Sequence, residues 1–202
     1  MAITNYTELT GAVVAWLDVA TADVSSVISD LVMTGEKRIM REVRTPDMED
    51  THSTAIGSGV IAVPTGYVEL KYAYIDGSPT QRLEMVSPNV IYDRYPTRAA
   101  DGKPVLMARD GSNFIFGPYP DSTYTVNLRF YKHLTAVQTT INALFTANPD
   151  LYLWACLSES EPILKRDQRI PIWESKYQMV KELVNGEAKR SHFSGNMTIR
   201  PG

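Results

Sequence analysis

YVELKYAYIDG, residues 67–77, is where the hydrophobic period of this chain changes. Val68, Leu70, Tyr72 and Tyr74 alternate with Glu69, Lys71 and Ala73, which predicts a strand with one apolar face. Asp76-Gly77 closes it with the favoured tight-turn dipeptide. TYTVNLRFYKHL, residues 123–134, repeats the pattern, with Tyr124, Val126, Leu128 and Phe130 on one face and Thr125, Asn127, Arg129 and Tyr131 on the other. Shorter strands fit Val60–Val63, Arg82–Val86, Val105–Arg109 and Asn113–Phe116, and Asp-Gly recurs at 101 and 110. An antiparallel meander with a short helix at Pro88–Tyr95 is expected. There is no βαβ alternation to support a doubly wound sheet.

Outward from this region the period is helical. Asn5 and Glu8 fit a capping box ahead of Leu9, Val13, Trp16 and Leu17. A second helix, capped by Thr21 or Asp23, carries Val24, Ile28, Leu31, Gly35, Ile39 and Val43 on one face. Thr45-Pro46 ends it, because a residue before proline avoids the helical region. DMEDTHSTAIGSG, residues 47–59, reads as a polar connector. Past the strands, Asn148-Pro149 opens a helix that Pro162 should kink. A last helix over about 168–185 places Ile172 or Trp173 with Tyr177, Val180 and Val184 on one face. The fold class read from this order is α+β. Residues 1–50 and 140–190 form one discontinuous helical bundle, residues 51–139 an inserted antiparallel β subdomain, and residues 191–202 an extended tail.

The 202 residues are 44% hydrophobic and 21% charged, with a formal net charge of -3, an ordinary folded composition. A pI near 5.6 argues against a general nucleic-acid coat, which needs a basic excess. One cysteine excludes an internal disulfide and any multi-cysteine zinc site. MAITNYTELT has no signal-peptide character, and GAVVAWLDVA is too short to span a bilayer and is broken by Asp18. A reducing cytoplasm without a membrane anchor is the expected setting. Residues 1–36 hold Glu8, Asp18, Asp23, Asp30 and Glu36 and no Lys or Arg, after which KRIMREVR supplies four bases. Acids at helix starts and bases at helix ends suit the macrodipole.

No catalytic constellation emerges. In PDLYLWACLSESEPIL, residues 149–164, Cys156 sits among leucines two turns into a helix with Glu159 beside it, so it reads as a small buried hydrophobe. Glu159 and Glu161 are two apart and diverge on a helix, which makes no acid pair. His52, His133 and His192 are scattered, and no phosphate-binding or nucleophile motif occurs. Neither metal nor cofactor is called for. Eight of the 11 tyrosines, at 67, 72, 74, 92, 95, 119, 124 and 131, cluster in the β region. They fit aromatic core first, a protein interface second and base stacking third. In the tail, Phe193, Met197 and Ile199 alternate with polar residues, as in a segment that docks on a partner as an added strand or clamp.

The order of phrases resembles a known family. KRIMREVRTPDME ends the second helix; VPTGYVELKYAYIDG, QRLEMVSPNVIYDRYP, GKPVLMARDGSNFIFGPYPD and TYTVNLRFYKHLTAV fill the middle; NPDLYLWACLSESEPILKRDQRIPIWESKYQMVKELVN follows. The chain resembles the phage head-to-tail adaptor family of short-tailed phages, similar in architecture to the tail tubular protein A type. That resemblance implies a structural virion protein made in the host cytoplasm, in a twelve-membered ring beneath the portal protein, with its β part facing a tail nozzle protein of the tail tubular protein B type. It also implies a tail that reaches the portal, through Phe193, Met197, Ile199 and Arg200. DNA would pass through the ring without specific binding, which a mildly acidic protein permits. Two alternatives stay open on the residues alone: a tail-associated cell-wall hydrolase, and a nucleic-acid-binding module.

Overall fold

A computed structural model describes residues 2–97, 102–165 and 167–192. Phe193, Met197, Ile199 and Arg200 of the expected docking tail lie outside the described residues. Contacts divide the chain into two compact units, one drawn from residues 1–47 and 134–202 and the other from 48–133. The fold is mixed α and β, with helices in the first unit and two sheets in the second.

The first unit contains α1 (Tyr6–Leu17), α2 (Thr21–Val24), α3 (Ile28–Glu42), α5 (Ala143–Ala147), α6 (Pro149–Ser158), α7 (Glu161–Leu164) and α8 (Ile170–His192). Asn5 caps α1 by accepting the Glu8 N–H at 2.9 Å, and the Glu8 carboxylate accepts from the Thr4 N–H and hydroxyl at 2.6 and 2.7 Å. The expected single second helix is broken between α2 and α3. Ser25 turns its hydroxyl to the Ala22 carbonyl there, a local bond that competes with helix continuation.

α6 is the hub. Leu151, Tyr152, Leu153, Ala155, Cys156 and Leu157 are all buried, so this helix is apolar nearly all round and packs against α8, α3, α1 and α5. Its start is not capped by the Asn148 side chain; Asn142, one helix earlier, caps α5 through Phe145 N–H and accepts the Tyr152 hydroxyl at 3.1 Å. The kink expected at Pro162 is a full break, with α6 ending at Ser158 and Pro162 in the first turn of α7, where its missing N–H costs nothing. α8 buries Trp173, Tyr177, Val184 and Ala188. It also closes two neighbouring helix ends: the Arg169 guanidinium donates to the Trp16 and Leu17 carbonyls, and the Asn185 amide to the Glu42 carbonyl.

The second unit contains β1 (Glu49–Ile56), β2 (Val60–Ala62), β3 (Tyr67–Ile75), β4 (Gln81–Arg82), β5 (Glu84–Met85), α4 (Pro88–Arg94), β6 (Leu106–Asp110), β7 (Asn113–Gly117) and β8 (Tyr124–Lys132). It is not one meander but two sheets, ordered β1-β8-β3-β4 and β2-β7-β6-β5. It is not wholly antiparallel either, because β5 pairs with β6 in parallel. β1 occupies most of the segment expected as a connector; its exposed positions are Thr51, Ser53 and Ala55, so only pairing with β8 reveals the strand. Ile56, Ala73, Ile75, Val126, Leu128 and Phe130 from the first sheet and Ile61, Met107, Phe114 and Phe116 from the second share one core. α4 covers the other side of the second sheet through Ile91, against Leu106, Ala108 and Ile115.

The simple alternation expected for residues 67–77 is interrupted twice, at Val68 and again at Lys71. β3 pairs Leu70 with Phe130 but Tyr72 with Arg129, leaving Lys71 as an extra residue in a bulge. The bulge reverses the faces. Ala73 and Ile75 are buried, and Tyr72 and Tyr74 turn to the side away from the core.

Candidate interaction surfaces

The segment around Cys156 is scaffold. The side chain is 1% exposed, and burial, with the nearby Glu36 carboxylate adding to it, pushes the thiol far above its ordinary pKa. Gly35 of α3 lies directly opposite: a Cβ there would stand 3.0 Å from the Cys156 nitrogen. Glu159 ends α6 while Glu161 lies on α7, and Glu159 is committed to Arg38 at 3.1 Å. His52 is on β1, His133 follows β8 and His192 ends α8, so the structure does not bring the three together on one element. Among the described residues no group of three or more His, Cys, Asp or Glu side chains is placed to hold a metal ion.

Arg38 organises the densest polar cluster. Its guanidinium donates to both Glu174 oxygens at 2.8 and 2.6 Å, to Glu159 and Ser158 at 3.1 Å each and to Glu42 at 3.2 Å. It lies 4.4 Å from the Tyr177 ring centre, and Lys181 joins Glu42 at 3.0 Å. Hydrogen bonding from Arg38 holds the Glu174 carboxyl below the usual range. The cluster links α3, α6 and α8, so its work is to fix three helices. Glu36, 8% exposed, accepts the Val137 N–H at 2.7 Å, and burial raises its pKa. Neither group was singled out by the sequence reading. Apart from Glu42 one turn on, the partners of Arg38 are more than a hundred residues away, and Glu36 looks like one more acid in an acidic stretch.

The tyrosines divide between roles. Tyr67 belongs to the core, edge-on to Phe114 at 5.2 Å and tilted on Phe130 at 5.5 Å. Tyr72 and Tyr74 stand 5.8 Å apart on the outer side of the first sheet, with Arg82 over Tyr72 at 5.6 Å and Lys71 over Tyr131 at 5.9 Å. With Glu49 and Arg129 they line an open cleft of about 330 Å³. Lys71 is paired with Glu49 at 2.5 Å and Arg82 lies over the Tyr72 ring, so these cations are engaged within the face and do not form a phosphate-tracking groove.

A second exposed surface lies on α8. Ile172, Met179 and Leu183 are 60%, 57% and 56% exposed and fall on one line opposite the buried stripe. The choice between Ile172 and Trp173 as the core residue is settled for Trp173, which is 3% exposed. No helix among the described residues is long and apolar enough to cross a membrane.

A family model described as SU10 adaptor protein matches residues 4–200. No curated protein matches the chain. The match spans nearly every residue, helical and β units alike. The chain therefore belongs to the SU10 adaptor family and has the structural role of a phage adaptor.

Proposed function

We propose, from that membership, that the chain is a head-to-tail adaptor whose copies form a ring beneath the portal protein. The ring extends the DNA channel and offers a docking surface to a tail nozzle protein. The match over residues 4–200 carries the reading. Supporting it, the acids nearest the lone cysteine are structural or solvated, and the surfaces described are broad and shallow, as suits protein contacts more than a small substrate. In this reading the helical unit is a bundle that packs side by side around the ring. The terminal segment with Phe193, Met197, Ile199 and Arg200 reaches the portal. Twelve copies match a twelve-fold portal, and closure sums twelve modest contacts into a stable collar.

The test is the mass of the purified chain by light scattering, alone and mixed with the portal ring of its own phage. One copy gained per portal subunit is expected. A chain that leaves the mass of the portal unchanged rules the reading out. Removing residues 193–202 should abolish the gain; an undiminished gain would exclude the terminal segment as the portal anchor.

A further inference from the structure

We infer that the outer stripe of α8, Ile172, Met179 and Leu183, seats on the outer face of α1 of the next copy, Thr7, Gly11 and Ala15. The inference rests on the ring reading and adds which faces meet.

α8 carries two apolar stripes. The inner one is used within the chain, through Trp173, Tyr177, Val184 and Ala188. A helix with a single packed face presents polar residues on the other. Single exposed apolar side chains are common, but three in line, each more than half exposed, mark a contact surface.

Symmetry limits the partner. Stripe against stripe is an isologous contact, which closes after two copies, whereas a ring needs two different faces that fit each other. α1 offers the second face. It packs on α6 through Leu9, Ala12, Val13 and Leu17, leaving Thr7, Gly11 and Ala15 exposed along its other side. A Cβ placed on Gly11 would meet nothing within 4 Å, so small side chains leave a shallow groove with room above it. Large side chains on one helix and small ones on the other let the two backbones approach closely.

The α1 face is acidic at its edges, and the α8 face carries bases that can meet it. Acids stand near the two ends of the α1 face, Glu8 and Asp18, and residues 1–36 contain no Lys or Arg. Along α8, Lys176 and Glu187 flank the stripe on one side and Arg190 follows it, with Glu182 on the opposite edge.

The lone cysteine makes the test clean, because Cys156 is 1% exposed and leaves a silent thiol background. Gly11→Cys and Met179→Cys are introduced singly and together, assembled on the portal ring of the same phage and treated with a short bis-maleimide. The double variant should give a denaturing-gel ladder reaching beyond dimer, and each single variant should stay monomeric. Dimers from Met179→Cys alone would show α8 against α8 and overturn the pairing. A ring of full mass without a ladder would overturn it while leaving the adaptor reading intact. No mass gained by the portal would sink both. As an independent measure, Met179→Glu with Leu183→Glu should keep the helical circular dichroism signal and weaken ring assembly at least about tenfold. Unchanged assembly would contradict the inference.

Discussion

Arg38 and Glu36 lie two positions apart on α3 and respond to pH in opposite senses. Glu174 is held below the ordinary carboxylate range by Arg38, so the ionised pair stabilises the fold above that range and the contribution disappears as pH falls through the lowered pKa of Glu174. Replacing Arg38 with Met should cost about 2–4 kcal/mol in urea unfolding at pH 7, because it strands partly buried carboxylates; the cost should shrink in acid. Glu36 is raised by burial, so its ionisation opposes folding as pH rises above the usual glutamate range. Glu36→Gln keeps an acceptor for the Val137 N–H and removes the buried charge. Its melting temperature should exceed that of the parent at pH 7 and match it near pH 4; equal values at both would refute the assignment. The inert role of Cys156 was legible in its leucine neighbours. The Arg38 cluster was not, since Ser158, Glu159 and Glu174 are brought to it only by folding.

At the scale of elements, helical stripes were read well because one period governs a whole helix. Leu9, Val13 and Leu17 of α1 and Leu31, Gly35 and Ile39 of α3 are buried as their spacing indicated, whereas Trp16, read with the α1 set, is 49% exposed and stands edge-on to Trp154. The strands were less legible. β1 has few apolar residues to mark it, and the Lys71 bulge shifts the alternation within β3, which only the register with β8 discloses. Two substitutions distinguish the bulged from the regular strand. Tyr72→Ser should cost under about 1 kcal/mol and Ala73→Glu several, because the second forces a charge into the core; a regular strand would reverse that order. A similar contrast separates two helical glycines. Gly35→Ala should destabilise by about 1–3 kcal/mol, through collision with the α6 backbone. Gly186→Ala, with nothing within 4 Å of the new methyl, should stabilise α8 by about 0.5–1 kcal/mol. Denaturant titration of each variant reads both signs.

On the scale of the whole molecule, the unit of residues 48–133 has its own core from two facing sheets, in which Ile56, Phe114, Val126 and Leu128 are wholly buried. Expressed alone it should fold, with a cooperative melt and dispersed amide resonances; a non-cooperative melt would mean that it depends on the helices. Family-level identity was legible because the phrase order spans the chain, whereas the α1 and α8 outer faces acquire meaning only beside another copy.

The helical unit is drawn from both sides of the β unit in sequence, and that order has a consequence during synthesis. On the ribosome α1 and α3 emerge first and wait, without α6 to pack on, while all eight strands follow. The β unit, which ends at His133, is complete before α6 and α8 are made, and domains fold as units once their residues are available. Only when α8 clears the exit tunnel can α6 be enclosed from every side. The stripe of Ile172, Met179 and Leu183 is therefore among the last surfaces to exist, which keeps nascent chains on neighbouring ribosomes from joining through it before each has folded.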